Sequence, residues 1–159
     1  MALRAVDELI ELLEARWQPF QETLAALPPE DFDRRTASGW TVKEMLGHVA
    51  FWMETIQPVF VGMFRGQPIE DREWYGGDDL GVTGEWPRTE VHNAREAAWA
   101  RPRPLSEVLD RLDAAYQRTV EAVQTLTEDE LSDGRFTKKV MDGACDHLVM
   151  HLAELRSLN

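Results

Sequence analysis

Four stretches of this chain repeat apolar residues every three or four positions, and none alternates apolar with polar residues over strand length. Such a chain can bury its hydrophobic side only by packing amphipathic helices against one another. The first stretch runs from about residue 3 to 27, with Leu9, Leu13, Trp17, Phe20 and Leu24 among its apolar positions, and LPPEDF breaks it. The second begins at Thr41, which with Glu44 makes a capping-box pattern, and carries Val42, Met45, Leu46, Val49, Met53 and Ile56 on one stripe. Pro58 is expected to kink or end it, and Arg65-Gly66 to stop any helical continuation beyond the proline. The third spans about 105 to 126, with Val108, Leu112, Tyr116 and Val123 facing inward. The fourth starts between Lys139 and Asp142 and ends with the chain, with Ala144, Leu148, Leu152 and Leu155 marking its core side. Thr127 and Glu130 repeat the capping-box pattern and predict a short extra turn. The expected fold class is all-α, a four-helix bundle. Residues 66 to 88 are rich in glycine and proline and lack helical periodicity, which predicts a long irregular connection between helices two and three. A shorter helix, about 89 to 99, comes after that connection and stops at RPRP.

Charge and cysteine content narrow the function. A formal charge of −12 with no basic stripe opposes nucleic-acid binding, because phosphates must be met by Lys and Arg. One cysteine excludes an internal disulfide and fits a reducing, cytoplasmic setting. MALRAVDELIELLEAR carries acids through its apolar run, so it reads neither as a signal peptide nor as a membrane span. The chain is long enough for a single domain, residues 1 to 159, with its own core.

Of the four histidines, His147 and His151 lie four apart in DHLVMHLAEL, a spacing that stacks two imidazoles on one helix face. His48, in GWTVKEMLGHVAFW, sits about a quarter-turn from the buried centre of helix two. Three histidines at the borders of two core stripes can converge in an inter-helix groove, where bundles build metal sites. The plainer alternative is a core-border ring with a hydrogen-bonded edge, and spacing alone does not decide between them.

The two segments just quoted, with RPLSEVLDRLDAAYQRTVEAVQTLTEDEL, resemble the DinB-like superfamily, which includes YfiT-type hydrolases and the N-terminal domains of mycothiol-dependent maleylpyruvate isomerases. The similarity covers most of the chain from residue 38 onward. It implies that His48, His147 and His151 are three ligands of a divalent metal, zinc or nickel by their imidazole chemistry. It also implies a small-molecule substrate and either hydrolysis or transfer of a low-molecular-weight thiol such as mycothiol or bacillithiol. Family members often dimerise, and Trp17, Phe20 and the apolar N-terminal helix are the candidates for a homodimer interface on one bundle face. The superfamily is not uniform: the related colibactin-resistance proteins use similar helices for a different task, so a non-catalytic, sequestering bundle is the alternative. Many members have Arg-Gly-Gln after the second helix-four histidine, where this chain has Leu152-Ala153-Glu154.

The catalytic base is open. Glu44, one turn before His48, and Glu154, one turn after His151, are the two candidates; a capping role and a solvated helix face are their plainer readings. Trp52 is the residue placed beside the pocket, with Trp74, Tyr75, Trp86 and Trp99 as further aromatic candidates. His92 is expected at the surface rather than as a fourth ligand, Cys145 as a small core residue, and Asp78-Asp79 as solvated loop acids.

Overall fold

The computed structural model describes residues 6–56, 62, 65–67, 89–132, 137, 138 and 140–158. Among them there is no β-strand, only one isolated bridge between Arg35 and Thr41. Helix α1 spans Val6–Ala26, and a 3₁₀ segment, Pro29–Asp33, comes after it. Helix α2 is Val42–Glu54, α3 is Thr89–Ala100, α4 is Leu105–Gln124 and α5 is Glu128–Ser132. A π-helical turn, Met141–Asp146, leads into α6, His147–Arg156. The protein is an all-α bundle.

The local signals act as the sequence implies. Thr41 accepts from the Glu44 amide while the Glu44 carboxylate accepts from the Thr41 amide, so two donors left over at the start of α2 are satisfied reciprocally. Thr127 and Glu130 do the same for α5. The inward positions of all four amphipathic stretches form one core, with Phe20, Leu46, Val49, Leu112 and Leu148 among its fully buried members. The segment holding Pro58 and most of the irregular connection, including Trp74, Tyr75, Asp78, Asp79 and Trp86, lies outside the described residues.

Helix α2 is the centre of the bundle and packs most extensively on α4 and on α3, whereas α1 packs on α6 and α4. The contact with α3 depends on Gly47. A Cβ at that position would stand 3.0 Å from the Ala100 Cβ and 3.1 Å from the Glu96 carbonyl oxygen. Glycine in mid-helix costs roughly 1 kcal/mol relative to alanine, and here it lets two helix backbones approach closely. That approach brings α3, a minor helical piece by its sequence, into the core with His92, Ala97 and Ala100 all buried.

Two surface assignments are overturned. Trp17 and Phe20 are not a free dimer surface: they are 6 % and 0 % exposed within the chain itself, and Trp17 stacks on Tyr116 at 4.3 Å and 6°. His92 is fully buried, stacked on Phe51 with ring centroids 5.1 Å apart, because α3 presses that face onto α2. No helix among the described residues is long and apolar enough to cross a membrane.

Candidate metal centre

His48 stands on the side of α2 that faces α6, while His147 and His151 rise one turn apart from the first turns of α6. The π-helical turn just before His147 matters for this placement. One additional residue in a turn rotates the downstream helix by about 100° relative to an uninterrupted α-helix, and so sets the face on which both histidines emerge. The three rings meet at their Nε2 atoms. His48 Nε2 is 2.7 Å from His147 Nε2, which is 3.0 Å from His151 Nε2. Among the described residues these three form the one group of histidine, cysteine and carboxylate side chains disposed to hold a metal ion, and His92 is not part of it.

The outer nitrogens decide what the inner ones can do. Asn93 Oδ1, from α3, lies 2.8 Å from His48 Nδ1 and 3.0 Å from Trp52 Nε1. Indole N–H only donates, so the Asn93 atom between them is an acceptor, and His48 Nδ1 must carry its proton to donate as well. The 3.1 Å approach of Trp52 Nε1 to His48 Nδ1 is then two donors sharing one oxygen rather than a bond between them. On the other side, His151 Nδ1 donates to Glu154 Oε2 at 2.6 Å. Both rings therefore direct a bare Nε2 lone pair at His147. His147 Nδ1 is buried with no hydrogen-bond partner among the described residues. Its ring has one proton when neutral, which cannot fully serve two acceptors.

Burial also opposes protonation. It pushes His48 down to about 4, aided by His151 and opposed by the Asn93 bond. Burial, then the neighbouring His48 and His151, holds His147 well below the usual imidazole range. His151 is lowered by burial too, against the pull of Glu154. Three neutral imidazoles with converging lone pairs form a donor set that a divalent cation satisfies and that a proton does not. Zinc at about 2.0–2.1 Å from each nitrogen would hold tetrahedral neighbours about 3.3 Å apart, so His48 and His147 would part by about 0.6 Å and His147 and His151 by about 0.3 Å. The residues fit the group.

This donor set lies in the wall of a cavity of about 410 Å³, whose described lining includes Trp40, Trp52, Thr55, Asn93, Gly143 and Met150. Trp52 thus stands at the pocket as expected. Trp99 does not: its ring is covered by the guanidinium groups of Arg103 and Arg111, at 4.4 and 4.2 Å. Among the described residues the one carboxylate lining the cavity is Asp142, which is paired with Lys138.

Glu44 is committed to the α2 cap and to Arg101, 2.7 Å away. Burial raises its carboxyl, but the Thr41 amide and Arg101 outweigh that and leave it below the usual range. Glu154 holds His151 and also accepts from the Ser38 amide at 3.0 Å. Burial, with Asp146 beside it, pushes the Cys145 thiol up to about 11, as suits a core residue rather than a nucleophile. Asn93, Ser38 and Asp142 carry no mark in the sequence that points to the site. Asn93 stands next to the more conspicuous His92, and only the packing of α3 on α2 shows which of the two serves the histidine cluster.

Comparison with known proteins meets this geometry from the other direction. The sequence profile of the DinB superfamily matches residues 12–155, nearly the whole chain. The chain belongs to the DinB superfamily. No curated protein and no solved structure gives a significant match, so family membership and the three-histidine cluster together carry the reading. For this DinB-superfamily chain they support a metal-binding, enzyme-like protein.

Proposed function

We propose that this DinB-superfamily protein is a metal-dependent enzyme acting on a small molecule, either by hydrolysis or by transfer of a low-molecular-weight thiol, with His48, His147 and His151 holding a zinc or nickel ion. The observation that supports it is the convergence of three Nε2 atoms in the wall of a substrate-sized cavity. A structural metal is closed in by its ligands, whereas a working one faces a space that substrate can enter. When bound, such an ion supplies Lewis-acid chemistry, acidifying a water or thiol at neutral pH or polarising a carbonyl.

The rest falls to the chain. Asn93 and Glu154 keep the Nδ1 protons of His48 and His151 on the outer side, so that both rings offer a lone pair inward. Trp40, Trp52 and Met150 give the cavity an apolar wall that packs against substrate and limits water. Thr55, Asn93 and Ser38 put polar groups on the same lining and can orient a substrate by hydrogen bonds. The cavity suits a substrate of modest size and mostly apolar body.

Elemental analysis of the purified protein beside a His147→Ala/His151→Ala variant tests the proposal. Near-stoichiometric zinc or nickel in the wild type, lost in the variant, is the expected result. A wild-type protein that takes up no divalent metal even on reconstitution would sink the metalloenzyme and leave a sequestering bundle with an apolar cavity as the better account.

A further inference from the structure

We infer that Glu154 is a positioning residue for metal binding, which fixes the tautomer of His151 and ties the histidine cluster to the turn formed by residues 36–40. This deepens the proposed function and rests on His48, His147 and His151 being ligands.

Glu154 is three residues beyond His151 on α6, and each of its oxygens has a separate task. Oε2 accepts from His151 Nδ1 at 2.6 Å, and Oε1 accepts from the backbone amide of Ser38 at 3.0 Å, from a residue 116 positions away. The turn that presents this amide is tightly held. The Thr36 amide donates to the Trp40 carbonyl at 2.8 Å, the Gly39 amide to the Thr36 carbonyl at 3.0 Å, and Arg35 Nη1 to the Gly39 carbonyl at 2.6 Å. Gly39 takes φ 89, a conformation that residues with a Cβ rarely adopt. Ser38 Oγ and Thr36 Oγ1 hydrogen-bond each other at 2.9 Å. The amide of Ser38 is therefore aimed at residue 154 by a turn with little freedom.

Two N–H groups thus converge on one side chain, and the chemistry of that pair selects a carboxylate. A carboxylate accepts at both oxygens. A carboxamide has one acceptor and one donor end. With its oxygen toward Ser38, its NH₂ would face His151 Nδ1 and favour the opposite tautomer, with the proton on Nε2 and no lone pair toward the centre. With its oxygen toward His151, its NH₂ would oppose the Ser38 amide. In this chain Glu154→Gln, although nearly isosteric, therefore disturbs the cluster in either orientation. Carboxylate–histidine–metal triads work by this orientation of the ring, and loss of the outer partner commonly weakens metal binding 10–100-fold.

The test uses the full-length protein and the metal alone. Cobalt(II) titration followed by visible absorption, with zinc measured by chelator competition, reads affinity in wild type, Glu154→Ala and Glu154→Gln. Side-chain ¹⁵N spectra of the metal-free proteins read the His151 tautomer. A urea midpoint for each metal-free variant separates a folding defect from a binding one. Expected are a roughly 10–100-fold loss of affinity for Glu154→Ala, a loss of roughly tenfold for Glu154→Gln, and an Nδ1–H signature at His151 in wild type that is altered in Glu154→Gln. Variants that bind as tightly as wild type, or a wild-type His151 protonated at Nε2, overturn the positioning role while leaving the metal site standing. A wild type that binds neither ion overturns both the inference and the function on which it rests.

Discussion

Two buried polar clusters stand on either side of α2, and they are resolved in opposite ways. Toward α3 and α4, Arg111 makes a two-pronged bond to Glu54, at 2.8 and 2.9 Å, and a third bond to Glu96 at 2.8 Å, with Trp99 against its guanidinium face. Arg95 adds a second cation to Glu96 at 2.7 Å, so two cations meet two carboxylates, and the charges and hydrogen bonds are matched within the chain. Toward α6, three imidazoles meet one another, each kept neutral by burial and two of them directing lone pairs at a third. Nothing in the described chain completes that second set. A folded protein gains little in stability from two lone pairs competing for one proton beside a buried Nδ1 without a partner, so the first cluster reads as structure and the second as a place prepared for something else.

Substitutions can break this contrast. The largest stability loss is expected for Arg111→Met, which strands the half-buried Glu54 and leaves the nearly buried Glu96 to Arg95 alone. The cost should be about 3 kcal/mol, toward the lower end for a broken buried pair because Arg111 and Glu54 keep some solvent contact. Urea unfolding measures it, and a loss below about 1 kcal/mol would show that the two clusters do not differ as supposed. Next is His147→Leu/His151→Leu. In the metal-free protein, replacing these rings by apolar groups of similar size should cost only about 1–2 kcal/mol, because Glu154 loses His151 but keeps the Ser38 amide. Wild type in zinc at a hundredfold excess over its Kd should gain about 2.7 kcal/mol, and the double variant should gain none. A large loss in the metal-free variant would make the histidines structural.

Gly47→Ala sharpens the contrast from between the two clusters, because it pushes α3 away from α2 and carries both Glu96 and Asn93 with it. About 2 kcal/mol of destabilisation is expected, together with weaker metal uptake through a loosened His48; undiminished metal affinity would show that Asn93 contributes little. The smallest effect is at the surface pair Arg65–Glu130. Its bonds to Arg65 and the Thr127 amide hold the Glu130 carboxyl down at about 2, against an ordinary 4.5. A lowered folded-state value means that this contribution is present above about pH 4.5 and fades as pH falls toward 2. The urea midpoints of wild type and Glu130→Gln should accordingly converge over that interval, and parallel curves would remove the pair from the account.

The helices and the histidine pair were legible because both derive from spacing along one element. Val42, Met45, Leu46, Val49 and Met53 fall on one face of any helix they form, and so do His147 and His151, whatever packs against them. Thr41 with Glu44, and Thr127 with Glu130, were legible for the same reason: a capping box closes within four residues. His92 was misjudged because its exposure depends on how closely α3 approaches α2, and that approach turns on the missing side chain of Gly47. Trp17 and Phe20 look available for a partner only until Tyr116 of α4 is found stacked on Trp17. Asn93 and the Ser38 amide were invisible for a further reason. They act on side chains 45 and 116 positions away, and nothing in their own neighbourhood marks them.

By itself the sequence determined four amphipathic helices, two reciprocal caps, the absence of a basic face and that two histidines share one face of α6, since each depends on periodicity, local hydrogen bonding or composition. Only the tertiary structure decided that His48 meets that pair, that a π-helical turn sets their angle, and that Asn93 and Glu154 leave the inner lone pairs bare. A hydrogen bond between distant segments exists only once the core has packed, and it is such bonds that turn three ordinary imidazoles into a group that could hold a metal ion.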